Sequence, residues 1–229
     1  LFVCGTGTGV GKTIVSAALL AAMRAAGEPV RAYKPVVTGL DEPPGEWPPD
    51  HELLALACGM TPEEVAPLRY GPAVSPHLAA ELAGDTIDPA TLVAAAQQAP
   101  NRTLVVEGVG GLLVPLARDF TVCNLAAKLA LPIVIVANPG LGTINHTLLT
   151  VEAARAAGLN VAAVVLTPWP AEPSRMELSN QETIARMGAV EVATLEEISS
   201  ADIPTLARAG ALFAWRDWLS QTNFVAHHP

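Results

Sequence analysis

The stretch GTGTGVGKT at residues 5–13 decides the fold class of this chain. An apolar run at residues 1–4 precedes it and an Ala-rich amphipathic run at residues 13–26 follows it, so the sequence predicts a tight turn between a strand and a helix. Glycines in such a turn let backbone N–H groups curl around phosphate oxygens, and the helix N-terminus adds a partial positive charge. We call residues 5–13 the phosphate loop and expect it to bind a nucleotide.

The chemistry of the phosphate loop depends on its last residues. In this motif the Lys12 ammonium bridges the β- and γ-phosphates, and the Thr13 hydroxyl ligates Mg²⁺. The residues predicted to contact the nucleotide here are Gly9, Val10, Gly11, Lys12 and Thr13. The strict motif has Gly where this chain has Thr6, so a Gly-rich turn that carries GKT by chance is the alternative.

The rest of the chain alternates short apolar runs with Ala-rich helical runs. Further strands are predicted at residues 30–34, 103–107, 133–137 and 161–166. Helices are predicted at residues 13–26, 50–58, 90–99, 124–130, 143–157 and 175–187. The strand runs are apolar throughout, as is typical of strands buried on both faces of a parallel sheet. The sequence therefore predicts an α/β, doubly wound, mostly parallel sheet flanked by helices, as in P-loop NTPases, with ligands beyond the carboxyl ends of the strands.

Composition excludes several classes of function. The 229 residues fit one domain, at residues 1–229, and 51% of them are hydrophobic, which is ample for a core. With a net charge of −9 and no run of Lys or Arg, the chain lacks the basic face that nucleic acid or an anionic membrane requires. The cysteines Cys4, Cys58 and Cys123 form no CxxC pair and are expected to be small buried apolar residues. No apolar run reaches membrane-spanning length and no signal peptide is visible, so we expect a cytoplasmic protein.

Five motifs together resemble one family. They are GTGTGVGKT at residues 5–13, KPVVTG at 34–39, SPH at 75–77, VEGVGG at 106–111 and LGTINHTLLT at 141–150. In this order and spacing they resemble the dethiobiotin synthetases from Cys4 to about Thr167, after which the match weakens. The resemblance implies that 7,8-diaminopelargonic acid, CO₂ and ATP give dethiobiotin, ADP and phosphate, with Mg²⁺ as cofactor. It also implies a carbamate, then a carbamic–phosphoric anhydride, and a homodimer with the substrate at its interface.

Two residues of KPVVTG are candidates for contact with the substrate. Lys34 precedes Pro35, and a residue before proline is held extended, so the Lys34 side chain should project from the end of a strand. The resemblance makes Lys34 a catalytic cation that neutralises the carbamate and the transferring phosphoryl group. It makes Thr38 a substrate contact. The alternatives are an exposed surface lysine and an ordinary turn residue.

Glu107 is the first of two expected metal carboxylates. It ends the predicted strand at residues 103–107, where a P-loop enzyme holds magnesium. The glycines that follow would let the backbone approach the γ-phosphate closely. The resemblance places Gly108 and Gly110 beside the nucleotide and Gly111 beside the substrate.

Asp50 is the second expected metal carboxylate. It follows residues 40–49, where four prolines and a glycine exclude regular structure and leave open a mobile loop near the site or a plain surface excursion. The resemblance implies that Asp50 contacts metal and nucleotide, although an Asp at this position is also a good helix N-cap. Asp41 and Glu52 are the alternative ligands.

The segment at residues 141–146 follows the fourth predicted strand. The resemblance implies that it receives the substrate carboxylate from across the dimer interface, through backbone N–H groups and the Asn145 side chain. This points to Gly142, Thr143 and Asn145, at a helix N-terminus suited to an anion. Thr143 as a plain helix cap is the alternative.

Thr167 stands where the family commonly has an Asn that reads adenine. We predict that Thr167 contacts the nucleotide. Because one hydroxyl makes fewer hydrogen bonds to a base than the two-point edge of an amide, we also predict a relaxed base preference, in which other nucleoside triphosphates replace ATP.

A nucleotide-switched dimeric ATPase of the partitioning or scaffold type is the main alternative function. Such proteins often carry a second lysine early in the phosphate loop, and this chain has none before Lys12. Amidating ligases that act on cobyrinic acid need an ammonia-producing domain, for which 229 residues leave no room. A non-catalytic binding module is a further alternative, but it would not explain why Lys12, Lys34 and Glu107 occur together.

Overall fold

The structure is a computed structural model that describes residues 1–43 and 45–221. Its strands are β1 (Phe2–Gly5), β2 (Val30–Tyr33), β3 (Val36–Val37), β4 (Leu68–Arg69), β5 (Thr103–Gly111), β6 (Pro115–Ala117), β7 (Phe120–Thr121), β8 (Ile133–Ala137), β9 (Val161–Trp169) and β10 (Val192–Glu196). Its helices are α1 (Lys12–Ala25), α2 (Asp50–Cys58), α3 (Pro62–Val65), α4 (Pro76–Leu82), α5 (Pro89–Ala96), α6 (Val122–Leu129), α7 (Thr143–Ala156), α8 (Arg175–Gly188), α9 (Ile203–Gly210) and α10 (Trp215–Ser220).

A six-stranded parallel sheet forms the centre of the fold, in the order β10-β9-β8-β1-β5-β2. Strand β1 lies between β5 and β8, so the phosphate loop that follows it leaves from the middle of the carboxyl edge. Ligands of open α/β sheets bind beyond that edge. The predicted α/β parallel architecture is therefore confirmed.

Two hydrophobic cores cover the two faces of the sheet. Leu1 and Val3 belong to the core that contains buried residues of α1, α2 and α9. Phe2 and Cys4 belong to the other core, with buried residues of α4 to α8. Burial on both faces explains why the strands are apolar throughout. In the described part of the chain, no helix is both long and apolar enough to cross a membrane.

The cysteines behave as small apolar residues, as expected. All three are buried and unpaired. Burial raises the pKa of the Cys4 thiol to about 12, so this thiol stays protonated and unreactive at neutral pH.

The prediction that Glu107 ends its strand was wrong. Strand β5 continues to Gly111, which pairs with Gly5, and Glu107 lies inside the sheet with an exposed fraction of 1%. Close packing explains the glycine that follows, because a Cβ on Gly108 would lie 2.8 Å from the Val122 Cγ1 atom. The strand can run on beside the phosphate loop because these positions carry no side chains.

The other differences concern short elements. The 133–137 strand and the 50–58 helix match β8 and α2. The sequence prediction missed the helices α3, α4, α9 and α10, and it missed the strands β3, β4, β6, β7 and β10. Helices α3 and α4 begin at Pro62 and Pro76, and a proline that reads as a breaker is tolerated in the first helical turn.

Candidate active site

The phosphate loop joins β1 to α1 through glycines with left-handed backbone. Gly9 and Gly11 have φ angles of 73° and 91°, which other residues adopt only with strain. A Cβ on Gly11 would also lie 2.6 Å from the Cγ2 atom of Thr167. The loop therefore requires glycine at position 11 for two independent reasons. The first N–H groups of α1 have no partner within the helix and point where a phosphate would bind.

Lys12 is folded back onto the phosphate loop. Its Nζ donates to the Gly7 carbonyl oxygen at 2.7 Å, and the residue is buried. Burial lowers the pKa of Lys12, against the opposing effect of Glu107. The phosphate loop thus already holds a desolvated cation at the position expected for phosphate binding.

A buried cluster of charges lies next to the phosphate loop. Lys34 Nζ donates to Glu107 Oε1 at 2.5 Å and to Asp50 Oδ2 at 2.5 Å. The Thr13 hydroxyl donates to the same Glu107 Oε1 at 2.9 Å. We call Thr13, Lys34, Asp50 and Glu107 the charged cluster. Four residues far apart in the sequence thus meet within one hydrogen-bonded unit.

The charged cluster is asymmetric in its burial. Only 3% of Lys34 and 1% of Glu107 is exposed, whereas 47% of the Asp50 side chain is exposed. Burial opposes the charge on Lys34, but Glu107 and Asp50 outweigh it, so the pKa of Lys34 is raised. The pKa of Asp50 is lowered, because Lys34 more than offsets the desolvation of the carboxylate. Lys34 is therefore a permanent cation in this structure.

Asp50 is the first residue of α2, and Pro49 occupies the N-cap position. The alternative in which Asp50 caps the helix is therefore wrong, and its carboxylate is engaged with Lys34 instead. The alternative ligands lie elsewhere. The Asp41 carboxylate lies against Gly71, and Glu52 is exposed.

A cavity of about 710 Å³ opens above the charged cluster. Of the predicted residues, it is lined by Gly9, Gly11, Lys12, Thr13, Lys34, Thr38, Asp50 and Gly110. Val10 packs against the core and Gly108 is buried against Val122, so neither lines the cavity. The structure thus gathers both lysines, Thr13, Asp50 and Thr38 around one space. Glu107 is buried and does not line the cavity, but it contacts the wall residues Thr13 and Lys34 through hydrogen bonds.

Several residues on the cavity wall were not singled out as site residues by the sequence, among them Trp47, Pro48 and Ser75. Trp47 and Pro48 line it, so the end of the proline-rich segment forms part of the wall. Ser75 lines it as well, and its Oγ lies 3.0 Å from the His77 Nδ1 atom. Ser75 holds the N-cap position of α4 but makes no side-chain capping bond, which leaves its hydroxyl to the cavity and His77. The SPH motif at residues 75–77 was the available signal.

A second cavity, of about 520 Å³, lies on the other side of the phosphate loop. Gly111 lines it together with Thr6 and Thr8. Leu113 and Leu149 line it too and are exposed. Gly111 therefore lines a different cavity from its neighbour Gly110, next to exposed leucines.

The loop before α7 lies on neither cavity wall. Gly142 and Asn145 are exposed, whereas Thr143 is buried with its hydroxyl 3.3 Å from that of Thr147. Gly142 holds the N-cap position, so the alternative in which Thr143 caps the helix is wrong. The Thr143 N–H already donates to Gly140, which leaves Asn145 as the most accessible polar side chain of the three residues.

Thr167 is buried beneath the phosphate loop rather than on the cavity wall. Its exposed fraction is 4%, and its methyl group faces the Cα atom of Gly11. This packing gives Thr167 a structural contact with the phosphate loop. Contact with a nucleobase stays a prediction.

The donor atoms of the charged cluster suit magnesium. Glu107, Asp50 and Thr13 offer only oxygen atoms, and the Glu107 Oε2 atom is buried without a hydrogen-bond partner among the described residues. No cluster of three or more His, Cys, Asp or Glu side chains suited to a metal occurs in residues 1–43 and 45–221. Magnesium commonly takes one or two carboxylates plus substrate phosphates, so two carboxylates and a hydroxyl beside the phosphate loop fit it.

Comparison with solved structures identifies the fold. A ParA family ATPase from Chlorobium tepidum has a TM-score of 0.52 at 12% identity, covering 96% of this chain and 95% of that one. The MinC:MinD cell division complex of Aquifex aeolicus has a TM-score of 0.52 at 14% identity, covering 91% and 84%. At this identity the likeness shows the P-loop type of fold alone.

Comparison of sequences identifies the family. A family model described as an AAA domain matches residues 1–202. ATP-dependent dethiobiotin synthetase BioD of Mycobacterium sp. (strain JLS) is 38% identical over 225 residues, which cover 96% of this chain and 97% of that protein. The protein of the same name from Anaeromyxobacter sp. (strain K) is 46% identical over 191 residues, covering 82% and 84%. The similarity extends past residue 167, where the motifs of the sequence become weak. The chain belongs to the ATP-dependent dethiobiotin synthetase family.

Proposed function

We propose that this protein uses ATP to close a cyclic urea on 7,8-diaminopelargonic acid and CO₂, forming dethiobiotin, ADP and phosphate. The observation that carries the proposal is the convergence of Lys12 and Lys34 on one cavity, with Lys34 held by Glu107 and Asp50. A transferring phosphoryl group and a carbamate are both anions, so two cations at one cavity suit their reaction.

The nucleotide end of the reaction is supplied by the phosphate loop and the charged cluster. Backbone N–H groups of residues 9–13 would hold the phosphates, with Lys12 turning from Gly7 onto the β- and γ-phosphates. Thr13, Asp50 and Glu107 would hold magnesium. When bound with ATP, magnesium would supply positive charge that neutralises the phosphates.

The chemical steps require cations placed beside the reacting atoms and no covalent bond between the protein and the substrate. One substrate amine takes up CO₂ and loses a proton to give a carbamate. The carbamate oxygen then attacks the γ-phosphorus and expels ADP, while Lys34 and Lys12 balance the negative charge. The second amine then attacks the carbamate carbon, expels phosphate and closes the ring. Thr38 lies on the same wall and would orient the carbamate through its hydroxyl.

The substrate's carboxylate end requires a second copy of the chain. The second cavity adjoins the phosphate loop and has the exposed leucines Leu113 and Leu149 on its rim. A homodimer that buries these side chains would hold the alkyl chain of the substrate against Gly111. It would bring Gly142, Thr143 and Asn145 of the partner to the substrate carboxylate.

Relaxed base preference belongs to the same proposal. Thr167 offers one buried hydroxyl, and its methyl group is committed to Gly11. We expect turnover with CTP and GTP near that with ATP, measured as dethiobiotin formed at equal concentrations of nucleotide. Strict dependence on ATP would contradict this part.

Product analysis tests the whole proposal. The protein is incubated with ATP, Mg²⁺, bicarbonate and 7,8-diaminopelargonic acid, and dethiobiotin and ADP are measured by mass spectrometry. We expect equal amounts of both products and a loss of about 10²–10³-fold in Lys34→Ala. The chain has three lysines, and the exposed Lys128 is the matched control, since Lys128→Ala should keep full activity.

A nucleotide switch is the outcome that would replace this proposal. Slow ATP hydrolysis at a rate that does not depend on the diamine would still support nucleotide binding at the phosphate loop. It would contradict the synthetase reaction.

A further inference from the structure

The Lys34 ammonium lies between Asp50 and Glu107, the two carboxylates proposed to bind the metal. Its nitrogen atom lies 2.5 Å from Oδ2 of Asp50 and 2.5 Å from Oε1 of Glu107. The Thr13 hydroxyl, the third proposed metal ligand, also donates to Glu107 Oε1. The two carboxylates are therefore held together by a lysine in the protein without metal.

This arrangement conflicts with both proposed roles acting at once. A magnesium ion would bind the same two carboxylates that the ammonium now holds, and two cations that share these carboxylates repel each other. Lys34 is 3% exposed, so it cannot reach a carbamate while it stays buried between Asp50 and Glu107. One of the two cations must give way.

The balance of charge around the cavity indicates when this happens. Lys12 and Lys34 balance Asp50 and Glu107 in the metal-free protein. A magnesium ion alone would add an uncompensated divalent charge to a largely buried site, which is costly. The phosphates of a nucleotide bring negative charge, extra oxygen ligands for the metal and a new anionic partner for Lys34.

We propose that Lys34 is a positioning residue for the metal carboxylates. It holds Asp50 and Glu107 together before loading, competes with divalent cations for them, and turns into the cavity only when metal and nucleotide arrive together. The inference rests on the proposed magnesium–nucleotide site, but it does not depend on the diamine reaction.

Manganese binding without nucleotide is the direct test. Mn²⁺ is titrated into metal-free protein and the free ion is measured by electron paramagnetic resonance. We expect weak binding to the wild type and at least tenfold tighter binding to Lys34→Met, in which the carboxylates have lost their cation. The matched control is Lys12→Met, which removes the other cavity lysine but breaks only the bond to Gly7.

The Lys12→Met control distinguishes direct competition between Lys34 and the metal ion from the effect of removing one positive charge near the cavity. An equal gain in Lys12→Met and Lys34→Met would show that only the net charge matters and would overturn the proposal. Equal affinities of the wild type and Lys34→Met would overturn it as well. If Lys34→Met unfolds in metal-free buffer, its thermal midpoint is measured with and without Mn²⁺, and rescue larger than in the wild type is expected.

A second measurement needs no variant. With three lysines in the chain, ε-¹³C-lysine labelling gives three resolvable NMR signals. We expect Mg²⁺ alone to leave the Lys34 signal unchanged, and a non-hydrolysable ATP analogue in EDTA to move the Lys12 signal. The Lys34 signal should move only with Mg²⁺ and the analogue together. A Lys34 shift with the analogue in EDTA would contradict the proposal. Neither the manganese titration nor the NMR measurement contains the diamine. Both tests therefore remain valid even if the protein does not catalyse the synthetase reaction.

Discussion

The charged cluster and the loop before α7 represent two ends of one proposed site, and they differ in how complete they are. In the cluster, Lys34 and Glu107 are buried and joined at 2.5 Å, and Thr13 donates to the same carboxylate. In the loop, Leu141 is 95% exposed and Asn145 is exposed with it. One chain thus pairs the charges of the first region by itself and leaves the polar groups of the second region facing outward.

This difference has a physical meaning. Buried charges must be paired within the fold that buries them, so the residues proposed for phosphoryl transfer are paired within one chain. An exposed loop costs little to leave open and can be completed by another molecule. The comparison predicts that changes in the cluster damage both stability and catalysis, whereas changes in the loop damage substrate binding alone.

Glu107→Gln should have the largest effect. It removes the negative charge that holds buried Lys34, and breaking a buried pair from one side costs about 3 kcal/mol in the free energy of unfolding. Dethiobiotin formation should fall by about 10²-fold or more. Urea denaturation in metal-free buffer and the product assay check both. The exposed Glu52 on α2 provides the control, because Glu52→Gln should change neither quantity; equal loss in both variants would contradict the account.

Gly11→Ala should have the next largest effect. The left-handed φ of 91° alone costs about 1–2 kcal/mol, and the new Cβ would lie 2.6 Å from the Thr167 methyl group. Nucleotide affinity, measured by calorimetry, should fall sharply. Gly27→Ala is the matched control, since its φ is 85° and its Cβ would meet nothing within 4 Å.

A second substitution separates the two costs of Gly11→Ala. Thr167→Ser removes the methyl group that the new Cβ would meet. The double variant Gly11→Ala with Thr167→Ser should therefore recover part of the lost nucleotide affinity. No recovery would mean that strain alone, and not contact with Thr167, explains the need for glycine.

Among these changes, Asp50→Asn should have the smallest effect on the free energy of unfolding, and that effect should depend on pH. The lowered pKa of Asp50 means that its pairing with Lys34 stabilises the fold above the usual Asp carboxyl pKa of 3.8. This stabilisation is lost as the pH falls through the pKa of Asp50 in the folded state. Since nearly half of the Asp50 side chain is exposed, we expect at most about 1 kcal/mol at neutral pH. Unfolding free energies of the wild type and Asp50→Asn should converge on acidification; a constant difference would contradict the pairing.

Local patterns predicted most of the fold and part of the site. Helix α2 and strand β8 were predicted from apolar runs that fit one type of element each. The phosphate loop was predicted from its glycines. The position of Glu107 inside β5 could not be predicted, because it depends on how Gly108 packs against Val122 from a distant helix. The pairing of Lys34 with Asp50 could not be predicted either, since it depends on where α2 lies relative to β2.

Other site residues were missed for a similar reason. The placement of Ser75 on the cavity wall follows from the start of α4 at Pro76, and the proline hides that helix in the sequence. Trp47 lies in a segment without regular structure, where no periodicity indicates which way a side chain faces. Tertiary packing alone sets both positions.

Complementation between two inactive variants tests the central claim most directly. Lys34→Ala breaks the charged cluster, and Asn145→Asp puts a negative charge at the loop that would face the substrate carboxylate. If each site combines the cluster of one chain with the loop of its partner, mixing and exchanging the two proteins makes dimers with one intact site. Half of the dimers would be mixed, so dethiobiotin formation should return to about a quarter of the wild-type rate. No gain over the separate variants, under conditions where subunit exchange is verified, would contradict a site shared between two chains.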